Sequence, residues 1–93
     1  MGKYKLSVFG KGGHGAEPSE AIDTTIITSE FVRKSTKYKN IDIISVISGA
    51  SFNVISGKAE IILETYNLNK IKNLIEAILV YYGEETTYDL TCL

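Results

Sequence analysis

The feature that most constrains this chain is the order in which its hydrophobic periodicity changes. Lys3-Tyr4-Lys5-Leu6-Ser7-Val8-Phe9 alternates, with Tyr4, Leu6 and Val8 on one face, the period-two pattern of a half-buried strand. Between Ser19 and about Thr36, Ile22, Ile26, Ile27 and Phe31 fall at helical spacing, although Thr24, Thr25 and Thr28 lower the intrinsic propensity, so packing must hold this helix. Ile41 to Ile47 is β-branched and apolar on both faces, which predicts a strand with something covering each side. Ala59, Ile61, Leu63 and Thr65 alternate with Glu60, Ile62, Glu64 and Tyr66 as a third strand, a hairpin partner of the second.

Ile71, Leu74, Ile75, Ile78, Leu79 and Tyr82 then repeat at i, i+3, i+4, i+7, i+8 and i+11, the clearest helix in the chain, with Asn69 as its expected N-cap and Gly83 closing it. Thr86, Tyr88, Leu90 and Cys92 alternate as a fourth strand. The order is βαββαβ. Two helices on one face of a four-stranded antiparallel sheet satisfy it, giving an α+β, ferredoxin-like sandwich. Ninety-three residues and a single proline, with no linker or low-complexity tract, fit one folded domain.

Composition excludes several functions. Ten Lys plus Arg stand against 11 Asp plus Glu, with no basic stripe, so the electrostatic footprint of a nucleic-acid binder is missing. Apolar runs such as Ile61-Ile62-Leu63 are far below the roughly 18 residues of a membrane span, so a soluble chain is expected, and its one cysteine is compatible with a reducing cytosol. One His and one Cys cannot by themselves assemble a zinc site, so no metal is expected in this chain.

The chemistry-bearing segment is Gly10-Lys11-Gly12-Gly13-His14-Gly15, between the first strand and the first helix. It satisfies G-x-G-x-x-G, the phosphate-binding turn of dinucleotide folds. That turn needs its third glycine packed at the helix start, whereas Pro18 and Ser19 put the start several residues later. A second reading is a loop with a solvated histidine. A third comes from resemblance. Gly10 to Pro18, then Ala21-Ile22-Asp23, resembles the lid-domain signature of the aminoacylase, hippurate hydrolase and carboxypeptidase-G metallopeptidases. Gly49-Ala50-Ser51-Phe52-Asn53-Val54-Ile55, followed by Ala59-Glu60, is similar to that family's Gly-x-x-x-Asn-Val-Ile-Pro segment.

The resemblance implies a lid and dimerisation domain, residues 1–93, excised from a metal-dependent amidohydrolase whose separate catalytic domain binds two zinc or similar divalent ions. It implies that His14 reaches the active site of a partner copy and donates to the substrate carbonyl as negative charge develops. A donor so placed is worth on the order of 3–4 kcal/mol in acyl transfer, and Gly13 and Gly15 let the backbone approach a ligand. Asn53 matches the family's substrate-binding asparagine; its other reading is an ordinary turn residue. Tyr66 stands where many members carry an arginine that clamps a substrate carboxylate, and a phenol gives one hydrogen bond rather than a bidentate ionic pair. Ser56 and Ser19 stand where proline and histidine are usual.

The second strand lies at an edge of such a sheet, carrying Ile41, Ile43, Ile44 and Val46 with Asp42 as its one charged guard, and this invites a homodimer through antiparallel pairing of the same strand. The competing expectation is a free-standing ferredoxin-like module that binds a small molecule or another protein. An independent enzyme is the weakest reading, since one His with no paired nucleophile lacks the geometry of a site.

Overall fold

The computed structural model describes residues 2–10, 13–14, 23–48, 54–55, 57–82 and 86–93, with the backbone alone at 13–14 and 54–55. Its elements are β1 (Gly2–Phe9), β2 (Gly13–His14), α1 (Thr24–Ser35), β3 (Ile41–Ser48), β4 (Val54–Ile55), β5 (Lys58–Thr65), α2 (Leu68–Tyr82) and β6 (Thr87–Cys92). The main sheet is antiparallel in the order β3-β5-β1-β6, with both helices on one face: the ferredoxin-like arrangement that the periodicity predicts.

Alternation fixes which side chains enter the core. Leu6 and Val8 of β1 and Ala59, Ile61 and Leu63 of β5 are buried against Ile27 and Phe31 of α1 and Ile71, Ile75 and Ile78 of α2. The opposite face holds Lys3, Lys5, Glu60, Glu64 and Asp89, with Lys3 opposite Glu64 and the Lys58 ammonium 5.7 Å from the Phe9 ring centre. Opposite charges across strands favour this register modestly.

Both helices begin where a side chain meets their unpaired amides, and in both cases this differs from the sequence reading. Asp23 is extended (φ −83°, ψ 110°) and its carboxylate accepts from the Thr25 amide, so α1 starts at Thr24 rather than Ser19. The cap of α2 is Asn67, not Asn69: its side-chain oxygen accepts from the Lys70 amide at 3.1 Å, while its own amide donates to Thr65 Oγ1 at 3.0 Å. Gly83 lies outside the described residues. On α1 the buried stripe runs Thr24, Ile27, Thr28, Phe31 and Ser35, leaving Ile26 at 57% exposure. Threonines that weaken the helix intrinsically are thus part of what packs it against the sheet.

Candidate functional site: a histidine ribbon and an open strand edge

The ladder between β1 and β5 does not stop at the end of the main sheet. Phe9 pairs with Lys58, the Gly10 amide donates to the Gly57 carbonyl at 2.9 Å, and pairing resumes as Gly13 with Ile55 and His14 with Val54. Gly13 lies four positions beyond Phe9 but Ile55 only three before Lys58, so the two ladders are offset by one residue. Neither short strand follows from periodicity, which reads both segments as loops.

This second sheet joins the two motif blocks. The histidine of the glycine-rich segment lies directly across from Val54, the residue after Asn53. Gly13 is in the same ladder; Gly15 and Asn53 lie outside the described residues. Tyr66 is elsewhere. It follows Thr65, which pairs with Gly2 at the opposite end of the sheet, and it is 76% exposed. Leu93 returns to that same end, its amide donating to the Lys3 carbonyl at 2.9 Å. One end of the sheet therefore carries the ribbon with His14, and the other carries Tyr66, Gly2 and Leu93.

β3 occupies an edge of the main sheet, but it is not covered on both faces. Ile41 enters the core and Ile43 is half-buried, whereas Ile44, Val46 and Ile47 are 50%, 43% and 67% exposed. β3 is an edge strand with a bulge between Ile43 and Ser45, after which Val46 lies opposite core-facing Ile61 and Ile47 opposite Glu60 on the other face, so a run read as apolar on two covered faces leaves apolar side chains in the open on both. Beside it, Thr25, Thr28, Ser29, Val32 and Arg33 of α1 and Val46 and Ser48 of β3 line a cleft of about 380 Å³, bridged by a 2.7 Å hydrogen bond between the Thr25 and Ser48 hydroxyls. Sequence reasoning assigned none of the α1 residues there; the signal was the polar i, i+4 pairs Thr25/Ser29 and Thr24/Thr28 on a helix that otherwise buries isoleucine and phenylalanine.

Among the described residues no three of His, Cys, Asp or Glu converge as metal ligands, so the residues described do not fit a metal centre. No helix among them is long and apolar enough to cross a membrane. Burial, followed by the neighbouring Glu30 and Glu76 carboxylates, raises the Tyr82 and Tyr88 phenols above their ordinary value; their hydroxyls donate to those carboxylates at 3.5 and 3.0 Å.

Solved structures share this architecture. Over 98% of this chain and 27% of theirs, an aminobenzoyl-glutamate utilization protein of Klebsiella pneumoniae superposes with a TM-score of 0.84 at 14% identity. A proposed aminohydrolase of methicillin-resistant Staphylococcus aureus gives 0.74 at 27% identity over 98% of this chain and 29% of its own. The YXEP protein of Bacillus subtilis, a dinuclear metal-binding peptidase of the M20 family, gives 0.65 at 18% identity over 97% and 25%. No family model and no curated protein matches the sequence. The chain spans between a quarter and a third of the length of these structures. By fold, then, the chain is similar to a part of these larger structures.

Proposed function

We propose that this chain is the lid and dimerisation domain of a metal-dependent amidohydrolase or peptidase. It pairs with a second copy through β3 and supplies His14 to that copy's active site. The observation that carries this reading is the β2–β4 ladder, which pairs Gly13 with Ile55 and His14 with Val54 and so brings the two motif blocks together beyond the main sheet.

The chemical role follows from the residue type. Imidazole donates a hydrogen bond at neutral pH, and a donor aimed at a carbonyl oxygen stabilises the charge that grows there during attack on an amide. Asn53 would add an amide donor or acceptor beside it. The two zinc or similar ions, with the carboxylate base, belong to a flanking catalytic domain of the same protein; such ions polarise the carbonyl and supply the attacking water or hydroxide. The exposed Ile44, Val46 and Ile47 of the edge strand support the assembly. The exposed free thiol of Cys92 fits a reducing, cytoplasmic setting.

The test uses the full-length protein with hippurate as substrate. His14→Ala should lower kcat by roughly 10²–10³-fold, the loss associated with removing one oxyanion donor, with metal content unchanged. Unaltered turnover in the variant would refute the role assigned to His14. The 93-residue chain alone, supplied with zinc, should show none.

A further inference from the structure

We infer that the cleft between α1 and the end of α2 binds a small carboxylate with an apolar, aromatic body, and that Arg33 receives the carboxylate.

The cleft is built from both helices. Ile26, Ser29, Glu30 and Arg33 of α1 and Tyr81 and Tyr82 of α2 line a space of about 450 Å³, within the roughly 300–1,000 Å³ of small-molecule sites. None of these residues belongs to the β2–β4 ribbon or to β3. Ile26 and Tyr81, from opposite helices, are 57% and 84% exposed. Tyr81 meets the Tyr82 ring edge-on, with centroids 5.3 Å apart and planes at 77°. Tyr82 in turn packs against the hydrophobic core, so the aromatic wall is anchored from below.

Charge selects the ligand. Glu30 is engaged at both carboxylate oxygens: Lys34 Nζ lies 3.7 Å from Oε1, and the Tyr82 hydroxyl donates to Oε2 at 3.5 Å. Arg33, the other charged residue of the lining, has no side-chain hydrogen bond or ion pair among the described residues. Glu30 and Lys34 offset one another, which leaves one positive charge, displayed by a planar fork that matches the two oxygens of a carboxylate. An inorganic anion meets Arg33 but leaves Ile26 and Tyr81 in water. An apolar body laid against them removes that surface, and an aromatic one adds ring-to-ring contact with Tyr81. A zwitterion gains little, because its ammonium has to displace Lys34 or Tyr82 from Glu30. Arg33 also borders the cleft between α1 and β3, but that cleft has no aromatic wall.

Titration of the isotope-labelled 93-residue chain with phenylacetate, followed by NMR, tests this. Saturable shifts should centre on the amides of Ile26, Glu30, Arg33 and Tyr81. Arg33→Gln should weaken binding roughly tenfold or more, the loss of a charge-assisted hydrogen bond, and Tyr81→Ala about threefold. Both side chains are exposed, so neither substitution touches the core. Phenylacetamide, with the ring but no charge, and acetate, with the charge but no ring, should each bind about tenfold more weakly than phenylacetate. The absence of a saturable shift, equal binding of phenylacetamide, or full affinity in Arg33→Gln overturns the inference. So do shifts centred on Val46 and Ser48, which put the ligand in the α1–β3 cleft instead.

Discussion

Replacing Thr28 by valine should stabilise this domain. Thr28 is 2% exposed on the sheet-facing stripe of α1, and its hydroxyl has no hydrogen-bond partner among the described residues. A buried hydroxyl without a partner forfeits its bonds to water, a penalty of about 1–3 kcal/mol. Valine removes that penalty and puts a methyl in the same volume, worth about 0.8 kcal/mol when buried. Helix propensity barely enters, since threonine and valine rank together. Allowing for imperfect packing of the new methyl, the net gain should be about 1–2 kcal/mol, and at about 4–8 °C per kcal/mol for a chain of this size the melting temperature should rise by about 5–15 °C. Thr28→Ser provides the contrast: it keeps the hydroxyl and deletes the methyl, so it should lose about 1 kcal/mol. Urea unfolding followed by circular dichroism measures both. If Thr28→Val unfolds more easily than the unmodified chain, the hydroxyl has a partner and the reasoning fails.

Val46→Lys or Ile44→Lys should shift the chain from dimer to monomer in light scattering, because each puts a charge on the uncovered edge; an unmodified chain that is monomeric at high concentration would count against the pairing. Asn67→Ala should cost about 1 kcal/mol by removing the α2 cap, whereas Asn69→Ala should change stability by less than about 0.5 kcal/mol; equal losses would mean the cap is misplaced. Stability should fall on the alkaline side. With the Tyr82 and Tyr88 phenols raised above 10.0 in the folded chain, the unfolded chain ionises first, so their contribution is intact below pH 10 and is lost above it. Tyr82→Phe with Tyr88→Phe should flatten that limb in denaturation curves taken at successive pH values.

The broad design was legible in the residues because strand and helix patterns are local. Alternation in Lys3–Phe9 and Lys58–Thr65 and the 3.6-residue repeat of Ile71 to Tyr82 each report one face of one element, and their order leaves few sheet topologies open. Cap identity was harder, since Asn67 and Asn69 are both good caps and the choice depends on where the chain leaves β5. The N-cap role of Asp23 was hidden in the same way, by isoleucines whose spacing continues the helical pattern back toward Ser19.

What the sequence determined alone was the set of elements, the face each buries, and the presence of a glycine-flanked histidine followed later by an Asn-Val-Ile block. Tertiary structure decided the relations among them. The β2–β4 ladder joins residues 40 positions apart, and no periodicity within either two-residue strand announces it. The bulge in β3 arises because that strand pairs against β5 with one residue to spare, and only the pairing reveals that Ile44, Val46 and Ile47 are left open. The separation of His14 from Tyr66 has the same origin: a sheet is a nonlocal object, and which end of it a side chain occupies is set by register with another strand, information that one strand's sequence does not contain.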